Sequence, residues 1–342
     1  MVGGSSRVLV TGGAGFIGSH LVDCFMGMGC FVRVVDNLNS GILGNIQGWL
    51  GNSRFRFVRG DLKDLDVAKN CVDGVDVVFH LAANPEVRVE MAEPSVHFRE
   101  NLLVTFNVLE AMRESKNSKV IVFVSSSTVY GEPTVFPTPE DYGPLLPISV
   151  YGASKLGCES LISSYCRMFD LRGVILRVAN IVGERSNHGI VADFIDKLRR
   201  NPKELEILGD GNQSKSYLHI SDFVDSLIRA FDSFLVSERA FEVYNVGSFD
   251  QVCVKRIAEI VVAEMGLQNV EFRVTGGVDG GRGWRGDVKA MLLSSDRLIN
   301  LGWKPSLNSE GAIKLSCREL LRHIREGDKH YHTRALHHHM KK

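Results

Sequence analysis

Seven cysteines in 342 residues form no CxxC pair, and their number is odd. Cys24, Cys30, Cys71, Cys158, Cys166, Cys253 and Cys317 are scattered along the chain. That argues against a disulfide framework or a zinc site, and a reducing, cytoplasmic setting is expected. No charge of one sign is in excess: forty Lys and Arg balance forty Asp and Glu. A basic surface built for nucleic acid is thereby disfavoured. No apolar run approaches the roughly 20 residues needed to span a bilayer, so no membrane association is expected. The start "MVGGSSRVLV" lacks the charged region and long apolar stretch of a signal peptide. Internal repeats and low-complexity blocks are also lacking. The tail "HYHTRALHHHMKK" is read as a flexible end at 331–342, and no metal site is expected.

What the chain does have is short β-branched runs alternating with helical patterns. The runs are "RVLVTG" (7–12), "FVRVVDN" (31–37), "FRFVRGD" (55–61), "VDVVFHLAA" (75–83), "KVIVFVSSS" (119–127) and "VILRVAN" (174–180). They are nearly continuously apolar, as strands covered on both faces must be. Helical stretches fall between them, at 101–115 and after Tyr151. The alternation predicts an α/β fold with a doubly wound parallel sheet. Beyond Asn180 the texture shifts to Gly- and Asn-rich loops such as "LGDGNQSKS" and "TGGVDGGRGWRGD".

In "VLVTGGAGFIGSH", Gly12, Gly15 and Gly18 run from the end of the first strand into the first helix. Gly12 permits a tight turn, Gly15 lets the backbone approach a pyrophosphate, and Gly18 lets the helix pack on the sheet. The absence of GK[ST] excludes a P-loop. Asp36 ends the second strand, where a carboxylate accepts hydrogen bonds from an adenosine ribose and repels a 2′-phosphate, favouring NAD over NADP. Asp61 and Leu62 end the third strand and Ala82 and Ala83 the fourth, at the sheet edge where ligands of open sheets bind. Phe16, Ile17, Asn37, Leu81 and Asn101 complete the candidate cofactor set. The expectation is a Rossmann-type domain over 1–181, to which 217–248 return. A smaller, interleaved C-terminal α/β substrate lobe would occupy 182–330.

The fifth strand ends in "VSSSTVYGEP", and Tyr151 and Lys155 follow in "SVYGASK". Residues at i and i+4 share a helix face, which brings a phenol close to an ammonium. The glycine triplet, Asp36, "GDL", "HLAA", "SSSTVYG" and YxxxK stand in the order and spacing of the extended short-chain dehydrogenase/reductases, which the chain resembles over nearly its whole length. The resemblance implies Ser126, Tyr151 and Lys155 as catalytic residues, with Tyr151 and Lys155 also at the cofactor. A free phenol titrates near 10, too high for a base at neutral pH. A neighbouring ammonium and an oxidised nicotinamide would together lower it, so a depressed Tyr151 is expected.

Ser127 and Thr128 follow Ser126, where sugar-nucleotide dehydratases and UDP-glucuronate decarboxylases of the superfamily carry carboxylates. What remains is oxidation and re-reduction at C4, and "AANPEVR" and "GDGNQSKSYLHI" resemble the compact, archaeal-like UDP-glucose 4-epimerases. That family implies a UDP-hexose substrate, tightly held NAD and a homodimer. It places Ser126, Ser127 and Asn180 on the nucleotide sugar, and Arg282 and Asp287 at the diphosphate. Arg285 competes with Arg282, because "GWR" lengthens the interval. Lys215 stands where many members have Arg, Leu208 where some stack a Phe on uracil, and Met291 where the family gates N-acetyl sugars. The alternatives left open are UDP-GlcNAc or UDP-glucuronate as substrate and a non-catalytic NAD sensor.

Overall fold

The computed structural model describes residues 3–325. The histidine-rich tail lies outside the described residues. Seven strands form the main sheet: β1 Arg7–Thr11, β2 Phe31–Asp36, β3 Phe55–Arg59, β4 Val77–His80, β5 Val120–Ser126, β6 Arg172–Val178 and β7 Phe241–Val246. They lie in the order β7–β6–β5–β4–β1–β2–β3. Every pairing is parallel. The strand order reverses between β1 and β4, which opens a crevice at their carboxyl ends.

The apolar runs work as the sheet demands, with successive side chains on opposite faces. Val8, Val10, Val32, Val34, Val122 and Val124 enter one core with helix α1 (Phe16–Gly27) and helix α6 (Ile220–Leu235). Leu9, Val35, Val78, Ile121, Phe123 and Ile175 enter the other. That second face is covered by α2 (Leu65–Val72), α3 (Val104–Glu114) and α4 (Val150–Met168). Ser149 starts α4 by accepting the Gly152 amide at 3.0 Å, which fixes Tyr151 in its first turn.

The structure trims the expected elements where the site begins. The run at 75–83 leaves the sheet after His80 because Thr11 Oγ1 takes the Leu81 and Ala82 amides at 3.0 and 3.1 Å. The run at 119–127 ends at Ser126, whose hydroxyl accepts the Thr128 amide and starts a tight turn over Ser127–Tyr130. A π-helical turn, Phe98–Leu103, precedes α3, so the stretch at 101–115 is not one regular helix.

The smaller core gathers α5 (Ile190–Arg200), α7 (Val254–Glu264) and α8 (Ser309–Arg325) around Leu198, Leu205, Ile257 and Ile313. Its strands are short. Glu204–Ile207 pairs with Glu271–Val274, and Ser214–Lys215 lies between Val252–Cys253 and Ala290–Met291. Asn180–Val182 pairs with Tyr217–His219 beside the main sheet. Among the described residues, no helix is long and apolar enough to cross a membrane.

Candidate active site

One open cleft runs along the carboxyl ends of the main strands. Every expected cofactor residue lines it except Asn101. Asn101 is buried behind the wall, where Nδ2 donates to Ser154 and Oδ1 accepts the Asn84 amide at 2.8 Å. Its amide is consumed in tying the loop after β4 to α4, so it shapes the cleft without facing it.

The glycine turn fits a dinucleotide. Gly12 has φ +67°, and a Cβ there would sit 2.9 Å from the Ala82 nitrogen. At Gly18 a Cβ would lie 2.2 Å from the Gly12 carbonyl, so helix and turn are in contact. A Cβ at Gly15 would meet only the Gly12 carbonyl, at 3.1 Å, and the space it leaves open belongs to the cleft. The helix N-terminus that follows presents unpaired amides and a partial positive charge, suited to a pyrophosphate.

Asp36 holds the adjoining loop and still faces the cleft. Its two oxygens accept the Leu38 amide at 2.8 Å and the Ala14 amide at 3.0 Å. Burial pushes its pKa up, against the pull of those two amides. A carboxylate offers about four acceptor positions, so some stay available for ribose hydroxyls. Asn37 donates to Asp61 at 3.3 Å, joining the ends of β2 and β3 at the same rim.

The expected catalytic groups meet where β5 ends beside α4. Ser126 and Tyr151 are hydrogen bonded through their hydroxyls. Thr128 Oγ1 donates to Ser126 at 2.9 Å. Lys155 is buried, bonds the Val124 carbonyl at 3.0 Å, and lies 6.0 Å from the centre of the Tyr151 ring. His97 meets the same ring edge-on at 5.4 Å between centres.

The protein's own groups do not by themselves depress Tyr151. Burial pushes the Tyr151 phenol up to about 12, although the Ser126 bond pulls it down. Burial also brings Lys155 down to about 8, with Cys158 and Glu159 opposing the fall. One N–H of the ammonium goes to the Val124 carbonyl. The protein's own groups therefore keep Tyr151 protonated. Lowering it requires the additional positive charge of an oxidised nicotinamide.

Beneath these groups lies a buried polar network that the motifs do not announce. Glu159, one turn after Lys155, takes a hydrogen bond from Ser125 at 2.5 Å and a forked one from Arg177. Arg177 also donates to Tyr130 at 2.9 Å, and Tyr130 to Asn245 at 2.7 Å. Charges so buried are tolerable only when paired, and here the pairing locks α4 to β5 and β6. The i+4 spacing of Glu159 from Lys155 was a usable signal; Arg177 sits inside an apolar run and gave none.

The expected substrate residues gather farther out. Asn180 donates to the Ser216 carbonyl at 3.2 Å, which places it beside the strand carrying Lys215. Lys215 Nζ is 2.7 Å from Asp287 and 5.9 Å from the centre of the Trp284 ring. Arg282 donates to the Asp287 carbonyl at 2.9 Å and pairs with Glu132 at 2.6 Å. Arg285 instead points outward, its side chain 73% exposed and 3.8 Å from Asp279. Met291 is buried against Val129, Tyr130 and Ala179, in register with Lys215. Ser127 is half-buried in the turn after β5, and Leu208 is half-buried in the 207–211 turn. Among the described residues, no group of three metal-ligating side chains forms.

Comparison with known proteins agrees with this geometry. The pattern of the NAD dependent epimerase/dehydratase family matches residues 8–247. The UDP-glucose 4-epimerase of Mycolicibacterium smegmatis is 31% identical over 316 residues, 90% of this chain and 96% of that one. The crystal structure of a UDP-galactose 4-epimerase superposes with a TM-score of 0.83 at 44% identity, covering 93% of this chain and 99% of the other. A UDP-glucuronic acid 4-epimerase from Bacillus cereus, solved with UDP-glucuronic acid and NAD, gives 0.81 at 29% identity, with 92% and 99% covered. With a glycine turn fitted to a dinucleotide and a tyrosine, serine and lysine at its inner end, the chain belongs to the NAD dependent epimerase/dehydratase family.

Proposed function

We propose that the protein interconverts UDP-glucose and UDP-galactose by inverting C4 of the hexose. The observation that carries this reading is the hydrogen bond between Ser126 and Tyr151, the latter lining the cleft, with Ser127 and Thr128 following Ser126 where a carboxylate would be needed to act at C5 or C6. NAD, which the glycine turn and Asp36 would hold, would supply the hydride acceptor and donor for C4. Ser126 holds the reacting oxygen, and Tyr151 takes the 4-hydroxyl proton as the hydride leaves and gives it back afterwards. Lys155 supplies a positive charge buried beside both steps. Lys215 and Arg282 hold the diphosphate, so the hexose can turn over while the nucleotide stays fixed. Arg282 is preferred to Arg285 because it faces Asp287 and Lys215.

The test is chromatography of UDP-glucose, UDP-GlcNAc and UDP-glucuronate after incubation with the protein, without added cofactor. UDP-galactose from UDP-glucose supports the reading, and no turnover of any UDP-hexose removes it. A second reading, UDP-GlcNAc as substrate, rests on Met291, an unbranched and adaptable side chain at the position assigned to gating. We also propose a homodimer through α3 and α4, where Phe106 is 40% and Met168 71% exposed. Light scattering at the monomer mass would dismiss it.

A further inference from the structure

The loop after Val182 meets the cleft at a rim that the reacting groups do not use. Residues 183–189 leave the strand Asn180–Val182 and precede α5. Asn187 and His188 line the cleft, as do Asn39, Ser40 and Gly41 from the loop after β2. The two loops touch: Asn187 Nδ2 lies 3.5 Å from the Ser40 carbonyl. Together they make a bridge across the cofactor side of the cleft.

Both ends of this bridge are anchored on the glycine turn and its helix. On the β2 side, the Ala14 carbonyl accepts the Ile42 amide and the Asn45 side chain, each at 2.9 Å. On the other side, Glu184 lies 3.6 Å from His20 of α1 and 3.3 Å from His323 of α8. Arg185 Nη1 is 2.7 Å from Asp23 of α1, which also accepts the Trp49 indole at 2.6 Å. Arg185 itself adopts φ +63°, a left-handed conformation that a residue with a side chain rarely takes. Such a conformation persists only where its surroundings enforce it, and here Arg185 pairs with Asp23 while the adjacent Glu184 lies 3.9 Å from Arg322. His20 beside it, with His323 and Arg185, holds the Glu184 carboxyl down at about 2, so the anchor stays anionic.

We propose that residues 183–189 form a strap that retains the dinucleotide, with Asn187 and His188 contacting it and Glu184 and Arg185 as positioning residues that pin the strap to α1. A reaction that regenerates its cofactor in every cycle gains nothing from releasing it, and a strap slows release without touching the reacting carbon. The inference concerns cofactor retention and is independent of which hexose is turned over.

The experiment uses the holoprotein, without any sugar nucleotide. Retained NAD is measured at intervals after transfer to NAD-free buffer, by denaturing the protein and assaying the nucleotide released. Glu184→Gln is expected to lose NAD at least tenfold faster than the unaltered chain, and Asn187→Ala several-fold faster. The thermal midpoint of each NAD-free protein should match that of the unaltered chain. The proposal is overturned if both variants keep NAD at the original rate. It is equally overturned if Asn187→Ala is silent and Glu184→Gln releases NAD only in step with a lowered midpoint, the mark of a general loss of stability.

Discussion

The cofactor cleft and the corner proposed to hold the diphosphate are built on different principles. In the first, backbone makes the site: a glycine turn, the ends of five parallel strands and two amides on Asp36. In the second, long side chains make it: Lys215, from a strand of two residues, pairs with the Asp287 carboxylate, and Arg282, from a long loop, donates to the Asp287 carbonyl. A backbone-built site has few ways to deform, because each turn is fixed by the sheet behind it. A site made from paired side chains can lose one member and keep its frame. The two halves should therefore respond differently to substitution.

The largest effect belongs to the junction of the two halves. Tyr151→Phe removes the group that moves the proton and keeps the ring against His97. Turnover of UDP-glucose should fall by roughly 10²–10⁴-fold, the usual contribution of a positioned acid or base. Bound NAD and the thermal midpoint should be unchanged. Measurable turnover near the original rate would remove Tyr151 from the chemistry.

Next come two glycine substitutions that set the halves against each other. In Gly18→Ala the new methyl would sit 2.2 Å from the Gly12 carbonyl and 2.8 Å from the Gly13 Cα. Neither can retreat without opening the turn, so NAD should be lost and stability should fall by about 1–3 kcal/mol. In Gly283→Ala the nearest atoms are Asp287 Oδ2 at 3.3 Å and Leu208 Cβ at 3.5 Å. Stability should then change by no more than ~0.5 kcal/mol. Thermal melts and NAD content on both variants measure this directly, and equal losses would end the contrast.

The high-pH limb of the rate profile probes the buried ammonium. Lys155 has been brought down to about 8, mainly by burial. The charged form is the one that assists the proton transfer, so the rate should hold below that pH. Above it, the rate should fall by about tenfold per unit. Stability has the opposite sign in that window: the unfolded chain, with its lysine near 10.4, binds the proton more tightly, so the fold gains as pH rises from 8. A rate that declines while the thermal midpoint does not would separate the ammonium from unfolding; a flat profile to pH 10 would contradict the assigned role.

The same division explains what could be read in advance. Six of the seven main strands, the glycine turn and the Tyr151–Lys155 pair follow from period and spacing, because long buried strands leave a strong apolar signature. Their ends were overrun at His80 and Ser126, where Thr11 and Thr128 draw the chain out of the sheet by local hydrogen bonds. The seventh strand, β7, lies within 217–248, the segment expected to return to the main domain, and its "FEVYNV" mixes apolar and polar residues where the other six runs are nearly all apolar. In the lobe, strands of two residues are too short to carry any period. The Glu159–Arg177 pair was hidden for another reason: each half lies within an element that reads as ordinary core, and only the fold brings them together.

The smallest effects decide how the diphosphate corner works. Arg282→Met removes a guanidinium that is 15% exposed and bonded to the Asp287 carbonyl, at the same acid that Lys215 holds. A hydrogen bond to a charged group is worth about 1.5–3 kcal/mol, so KM for UDP-glucose should rise by roughly 10–100-fold with kcat little changed. Lys215→Met should act similarly, although its loss also leaves Asp287 buried and unpaired. Arg285→Ala removes a side chain that points into solvent, with one weak partner in Asp279. Surface changes of that kind are usually worth less than ~0.5 kcal/mol, so KM should move by less than about 2-fold. If instead Arg285→Ala raised KM tenfold and Arg282→Met did not, the long loop would have to turn over on binding the nucleotide. The diphosphate corner would then be the half of the site that is assembled by its ligand rather than by the fold.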